Sequence, residues 1–149
     1  MLEVAGLRYK YPDGHEALRG VTFSVNDGEK VALVGANGSG KSTLLLHLAG
    51  ALNVQEGRIA LRGQEGQEAL RQHIGMTFQD SDDQLLMPGV LEDVAFSLVA
   101  EGVSVRKAHE RAAKILDVLG IAHLAERPPH KLSGGEKRMV SFAGILARE

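Results

Sequence analysis

The pattern G-x-x-x-x-G-K-S at residues 35–42 constrains the fold of this chain more than any other feature. It follows a short apolar run at residues 31–34 and precedes a leucine-rich stretch that ends at Gly50. The apolar run predicts a strand buried on both faces, and the leucines predict a buried helix. A glycine-rich turn between such a strand and such a helix is typical of a loop that binds phosphate.

The fixed positions of this loop match the chemistry of phosphate binding. Glycines let the backbone curl so that successive N–H groups point at a phosphate chain, and the positive end of the following helix dipole favours an anion. The Lys41 ammonium can reach the β and γ phosphates, and the Ser42 hydroxyl can ligate Mg²⁺. The alternative is a purely structural glycine-rich turn, but the strand and helix that flank the loop favour nucleotide phosphate binding.

Residues 1–26 are expected to form antiparallel β structure. Val21, Phe23 and Val25 alternate with polar residues, which is the period of a half-buried strand. A Tyr-Pro-Asp-Gly turn at residues 11–14 separates this strand from an earlier apolar segment.

The rest of the chain is expected to alternate between helix and strand up to residue 79 and to be helical after it. Candidate strands at residues 58–61 and 74–78 follow the leucine-rich helix, and the strand–helix–strand order predicts a parallel α/β sheet. We therefore interpret the chain as one domain with two parts, a β subdomain with the phosphate-loop core at 1–79 and a helical subdomain at 80–149. In the helical part, Ser104 and Gly120 are positioned to begin and end an amphipathic helix. Its predicted buried face consists of Ala108, Ala112, Ile115, Leu116 and Leu119.

Composition excludes several other classes of protein. The 149 residues carry a formal net charge of -2, so the chain lacks the overall basic character of a nucleic-acid binder and no nucleic-acid partner is expected. It contains no cysteine, which excludes disulfides and thiolate metal sites. The apolar runs are too short for a transmembrane helix, and the first residues have no signal-peptide pattern.

A second motif, Leu-Ser-Gly-Gly-Glu, occupies residues 132–136. Ser133 and Glu136 form the S-x-x-E pattern of a capping box at the start of a helix expected at about 134–148. The same exposed helix N-terminus could instead bind a second anion. The residues alone leave both interpretations open.

A phosphate loop followed by Leu-Ser-Gly-Gly-Glu resembles the nucleotide-binding domain of the ABC ATPases, and the resemblance covers the whole chain. It implies a P-loop NTPase of the α/β class, with an antiparallel β subdomain, an incomplete parallel core sheet and a helical subdomain. It also implies ATP and Mg²⁺ as cofactors. Lys41 and Gln79 are the implied catalytic residues, with Ser42 and Gln79 near Mg²⁺. The implied nucleotide-binding residues are Tyr11, which would stack on adenine and is preferred to Tyr9, and Gly35, Asn37, Gly38, Ser39, Gly40, Lys41, Ser42 and Thr43.

The resemblance implies a second ABC ATPase subunit as partner, identical or a paralogue. In the family, two subunits form a head-to-tail dimer, and the second motif contacts the γ-phosphate of ATP held by the other subunit. The positions of this chain that match are Ser133, Gly134, Gly135 and Glu136. The two interpretations of this motif are then compatible, because a helix N-terminus that is capped and exposed can also bind an anion.

Four short segments are similar to the cobalt/nickel and energy-coupling-factor branch of the family. They are residues 9–14, 82–85, 91–96 and 129–132. This similarity implies an importer of a metal ion or vitamin that acts with an integral membrane protein at the cytoplasmic face of the cell membrane. By the same resemblance, we expect the acidic side chains of residues 80–83 to belong to the surface that meets this membrane partner. We interpret His47, inside the helix after the loop, as a structural residue.

The family pattern continues into parts that are absent from these 149 residues. They are a hydrophobic strand ending in Asp, a catalytic Glu, a further loop and a switch His. We therefore expect a truncated or partial copy that binds ATP weakly, hydrolyses it negligibly and is poorly stable. The alternative from another class is a nucleotide-binding or interaction fragment without hydrolysis.

Overall fold

The computed structural model describes residues 1–78 and 84–148. The chain divides into two compact units, Met1–Gly75 and Met76–Glu149. Each unit has its own apolar core, and each is described by itself.

The first unit is built on an antiparallel sheet. Strands β1 (Leu2–Lys10) and β2 (Glu16–Val25) form a hairpin, β3 (Glu56–Leu61) pairs with the other edge of β1, and the short β4 (Gln64–Glu65) pairs with β3. The strand order is therefore β2-β1-β3-β4. The hairpin confirms the antiparallel structure expected from the alternation in residues 1–26.

Two helices bury their apolar side chains with this sheet. Helix α1 (Lys41–Leu48) contributes Leu44 and helix α2 (Gln67–His73) contributes Leu70 to the core. The hairpin turn is closed by a 2.9 Å hydrogen bond from the Gly14 amide to the Tyr11 carbonyl. This turn brings the end of β1 close to the start of β2. The remaining buried core residues of the unit are Val4, Leu7, Leu18 and Ile59.

The structure corrects two of the predicted strands. Residues 31–34 and 74–78 are not strands, and the described residues contain no parallel strand pair. Val34, which was expected to be buried, is 86% exposed, and Phe78 is 48% exposed. An apolar run becomes a buried strand only where neighbouring strands satisfy its backbone N–H and C=O groups. In the described residues, none of the four paired strands lies beside residues 31–34.

The second unit is helical. Helices α3 (Val90–Ala100), α4 (Val105–Val118) and α5 (Gly134–Leu146) surround one core, with single turns of 3₁₀ helix at Ala122–Leu124 and Pro129–Lys131. The expected amphipathic face of α4 is confirmed, since side chains spaced by four residues are fully buried. The buried side chains of α4 are Ala108, Ala112 and Leu116.

The ends of these helices agree with the sequence only in part. Ser104 occupies the predicted N-cap position of α4, but its side chain makes no capping hydrogen bond. Gly120 follows the end of α4 in a left-handed conformation, as predicted. The last helix ends at Leu146, two residues before the expected boundary. Within residues 1–78 and 84–148, no helix is both long enough and apolar enough to cross a membrane.

Candidate functional site

The loop predicted to bind phosphate lies exposed between residues 34 and 41 and leads directly into α1. Inside it, the Ser39 amide donates a 3.2 Å hydrogen bond to the Ala36 carbonyl. Gly38 and Gly40 have φ angles of 79° and 88°, values that L side chains rarely adopt. The first helical hydrogen bond runs from the Leu44 amide to the Gly40 carbonyl at 2.8 Å. The loop therefore ends at the free amides and positive dipole end of a helix.

Gly40 also provides a close approach between the loop and β2. A Cβ atom at this position would overlap the carbonyl oxygen of Ala17 and lie 3.3 Å from a methyl group of Leu18. Only a glycine allows both the left-handed backbone and this contact. The last turn of the loop is thus fixed against the sheet of the first unit.

The Lys41 side chain folds back over the loop that precedes it. Its ammonium donates hydrogen bonds to the carbonyl oxygens of Gly35 at 2.9 Å and Ala36 at 2.7 Å. The structure thereby brings together the first glycine of the motif, its lysine and the first turn of α1. Exposed backbone amides, a helix N-terminus and a cation form a donor set that fits a chain of phosphates.

Tyr11, predicted to contact the base, lies beside this first turn. Its hydroxyl shares a 3.0 Å hydrogen bond with the hydroxyl of Thr43. Its ring meets the ring of Tyr9 edge to face, with centroids 4.9 Å apart and an interplanar angle of 86°. The structure therefore brings the predicted aromatic residue next to the predicted phosphate loop.

Sequence reasoning missed the participation of Tyr9 and His47 beside the loop. The His47 ring lies edge to face with Tyr9 at 4.6 Å, and its Nδ1 is 2.7 Å from the Thr43 carbonyl oxygen. Two spacings in the sequence could have indicated this. Tyr9 is two residues before Tyr11, which directly follows the end of β1, and His47 is four residues after Thr43 in a helix.

The second motif forms the start of α5. The Glu136 carboxylate accepts hydrogen bonds from the Ser133 amide and hydroxyl, both at 2.7 Å, and the Glu136 amide donates to the Ser133 hydroxyl at 3.3 Å. The predicted capping box is therefore confirmed. The hydrogen bonds from Ser133, first from its amide, lower the pKa of the Glu136 carboxyl, with a smaller contribution from Arg127. Gly134 and Gly135 are exposed, with open space around their α-carbons.

Other predicted residues are not placed by the structure. Gln79 and the acidic residues Asp80, Asp82 and Asp83 lie outside the described residues. Ser42, predicted to ligate Mg²⁺, is exposed in the first turn of α1. Within the part of the chain that is described, no group of three or more His, Cys, Asp or Glu side chains could hold a metal ion. A metal at Ser42 would need further oxygen ligands from phosphate or water.

A family model described as ABC transporter matches residues 18–149. A putative ABC transporter ATP-binding protein of Geobacter sulfurreducens is 48% identical over 99% of this chain and 61% of its own length. The energy-coupling factor transporter ATP-binding protein EcfA of Methanosphaera stadtmanae is 44% identical over 99% of this chain and 55% of its own length. The chain thus spans less than two thirds of both relatives.

Solved structures show the same similarity. CbiO1 from Clostridium perfringens, described as part of the ABC transporter complex CbiONQ, superposes with a TM-score of 0.84 at 38% identity, over 99% of this chain and 61% of that one. An ATP-binding cassette of an ABC transporter in its ADP conformation gives 0.81 at 30% identity, over 99% and 65%. A dimeric bacterial ABC transporter cassette gives 0.81 at 27% identity, over 99% and 70%.

Proposed function

This chain belongs to the ABC transporter family, and from that premise we propose that it binds ATP as the nucleotide-binding subunit of an importer. In this proposal, ATP binding and hydrolysis drive uptake of a solute through a separate integral membrane partner. The observation that carries the proposal is the loop at residues 35–42, which ends at the N-terminus of α1 with Lys41 folded over it. The confirmed α/β fold class of the family agrees with it.

Different residues of the loop contact different parts of the nucleotide in this proposal. The backbone amides of Gly38 and Gly40 donate to phosphate oxygens, and the Ser39 amide does so in exchange for its 3.2 Å bond to the Ala36 carbonyl. Asn37 and Thr43 line the same segment. Lys41 exchanges its two carbonyl partners for the β and γ phosphates, because a phosphate oxygen is a stronger acceptor for an ammonium than a neutral carbonyl. The Tyr11 ring supplies a face for the adenine.

Magnesium is the cofactor that fits this loop. When bound, the ion would neutralise charge that develops between the β and γ phosphates. Ser42 is the residue of the described loop that would hold it, since its exposed hydroxyl stands directly after Lys41. Gln79 is the second proposed ligand and, with Lys41, the proposed catalytic residue.

The partner subunit is proposed to be a second ABC ATPase in a head-to-tail arrangement. Ser133, Gly134, Gly135 and Glu136 would then act in trans on the γ-phosphate held by the other subunit. The exposure of Gly134 and Gly135 supports this role, since backbone amides in the first turn of a helix have no acceptor within the helix. One of the similar cassettes was solved as a dimer.

The proposed transport class is import of a metal ion such as cobalt or nickel, or of a vitamin. The support is similarity to a protein named EcfA and to CbiO1 of an ABC transporter complex. The chain would accordingly lie at the cytoplasmic face of the cell membrane, bound to its integral membrane partner.

A second candidate is nucleotide binding without hydrolysis. Residues 31–34, which lead into the loop, are exposed and form no strand. A phosphate loop that is not preceded by a paired strand can still bind a triphosphate through its amides. Hydrolysis needs, in addition, water and metal held in one geometry. Turnover of ATP measured beside ATP affinity separates the two candidates.

The proposal is tested by substituting the loop lysine. We expect Lys41→Ala to weaken ATP binding by about tenfold or more, since hydrogen bonds to charged groups contribute roughly 1.5–3 kcal/mol each. Lys114→Ala on the exposed face of α4 is the matched control and should bind as the parent does. Equal ATP affinity for the parent and Lys41→Ala, measured by calorimetry, would refute the proposal.

A further inference from the structure

A closed circuit of four residues joins the end of β1 to the first turn of α1. The Tyr11 hydroxyl is hydrogen-bonded to the Thr43 hydroxyl, the Thr43 carbonyl to the His47 ring, the His47 ring contacts Tyr9, and Tyr9 contacts Tyr11. No contact in the circuit is longer than 4.9 Å between ring centroids or 3.0 Å between hydrogen-bonded atoms. The Tyr11 side chain is therefore held at its ring by Tyr9 and at its hydroxyl by Thr43.

His47 is an unusual choice for the position it occupies. It is fully buried, and its Nδ1 donates to the Thr43 carbonyl oxygen, which can only accept. Its Nε2 is buried and has no hydrogen-bond partner among the described residues. An apolar side chain would avoid the cost of an unpaired buried nitrogen. A residue used only to fill the core would not need this ring, so the ring contact and the bond to Thr43 explain it better.

We propose that Tyr9 and His47 are positioning residues that fix the Tyr11 ring relative to the phosphate loop, so that the loop and the base contact act as one rigid site. The proposal rests on the proposed function, in which Tyr11 contacts the base. Thr43 belongs to the first turn of α1, the turn that receives the phosphates, and it also carries two links of the circuit. A nucleotide with both a base and a triphosphate then meets two surfaces already in register, which saves the cost of ordering Tyr11 on binding.

This arrangement makes a specific distinction between two ligands. ATP engages both the loop and Tyr11, whereas inorganic tripolyphosphate engages the loop alone. Removing the ring of Tyr9 or His47 should therefore weaken ATP binding and leave tripolyphosphate binding unchanged. A merely structural defect in α1 would weaken both ligands by the same factor.

The test measures both affinities by calorimetry with Mg²⁺ on the full chain. For Tyr9→Leu we expect an about two- to tenfold loss of ATP affinity, the range of one aromatic pair, with no change for tripolyphosphate. Tyr9→Phe keeps the ring and should restore ATP affinity. Phe23→Leu is the matched control, an aromatic residue of the same sheet outside the circuit, and should change neither affinity. His47→Leu should act as Tyr9→Leu does.

The mechanism is checked in a background without the base contact. In Tyr11→Ala, adding Tyr9→Leu should cause no further loss of ATP affinity, because Tyr9 acts through Tyr11. Equal losses for ATP and tripolyphosphate in Tyr9→Leu, or unchanged ATP affinity, overturn this inference alone. Binding of neither ligand by the parent chain overturns the proposed function and the inference with it.

Discussion

Ser133 and Glu136 bond to each other in both directions at the start of α5. The carboxylate accepts from the Ser133 amide and hydroxyl at 2.7 Å, and the Glu136 amide returns a hydrogen bond to the hydroxyl at 3.3 Å. The motif proposed to act on a neighbouring nucleotide is thus also the device that begins its own helix. A substitution here should therefore affect both the stability of the helix and the proposed action on the neighbouring nucleotide. The two effects are measured in separate experiments.

The contribution of the capping box to the free energy of unfolding can be measured with a substitution at Ser133. Ser133→Ala removes the hydroxyl that accepts from the Glu136 amide, so we expect the free energy of unfolding to fall by about 1 kcal/mol. Urea denaturation followed by circular dichroism measures it. Ser104→Ala is the matched control, because Ser104 holds the N-cap position of α4 without a side-chain bond and should cost less. Equal losses for the two variants would contradict the assignment of the cap.

The same pair predicts a pH dependence at acid pH. The pKa of Glu136 is lowered in the folded chain, chiefly by the Ser133 amide. Its contribution to stability is therefore present above the unfolded-state pKa and is lost as pH falls through the folded-state pKa. We expect Glu136→Gln to flatten the stability curve below about pH 4.5. An unchanged curve in the Gln variant would show that other carboxylates account for the acid dependence.

Asp93 is expected to show the opposite pH dependence. Burial raises its pKa, although its carboxylate accepts from the Leu86 and Met87 amides at 2.7 and 2.8 Å. Stability from this group is present below the unfolded-state pKa and is lost as pH rises through the raised folded-state pKa. Asp93→Asn keeps an acceptor oxygen and should remove that loss, so the variant gains stability relative to the parent as pH rises above the unfolded-state pKa of about 3.9.

Asp93→Ala is the informative companion variant. It leaves the Leu86 and Met87 amides without their acceptor, and we expect a loss of about 1–2 kcal/mol at neutral pH. Denaturation curves at several pH values compare all three chains. If the Asn and Ala variants lose the same stability at pH 7, the acceptor oxygen kept by Asn contributes nothing and the carboxylate charge accounts for the loss.

Two glycines of the loop should differ in their tolerance of alanine. Gly38 and Gly40 both have positive φ angles, so either change carries a backbone cost of about 1 kcal/mol. At Gly40 the added methyl group also overlaps the Ala17 carbonyl oxygen, whereas at Gly38 it meets open space. Gly40→Ala should therefore have a clearly lower thermal midpoint than Gly38→Ala. Equal midpoints would mean that the loop moves away from β2 without cost.

The exposed segment before the loop should tolerate polar substitution in this chain. Val34 is 86% exposed, so Val34→Ser should change the free energy of unfolding by less than about 0.5 kcal/mol. Leu7 is fully buried in the first core, and Leu7→Ala should cost about 2–5 kcal/mol. Urea denaturation compares the two. A large loss at Val34 would indicate that a strand forms there in solution.

Local patterns in the sequence determined much of this protein. The alternation at Val21, Phe23 and Val25 predicted β2 because strand side chains alternate between two faces. The spacing of Ala108, Ala112 and Leu116 predicted the buried face of α4, and S-x-x-E predicted a cap that depends only on residues three apart. These features depend on near neighbours in the chain, so local chemistry is sufficient to specify them.

Tertiary structure alone decided the features that depend on distant partners. Residues 31–34 have the composition of a buried strand, but a strand exists only if another strand pairs with it, and periodicity carries no information about that partner. The circuit of Tyr9, Tyr11, Thr43 and His47 likewise joins residues more than 30 positions apart. Its distances follow from how the end of β1 meets the first turn of α1, because side chains far apart in sequence become neighbours only when the elements that carry them pack.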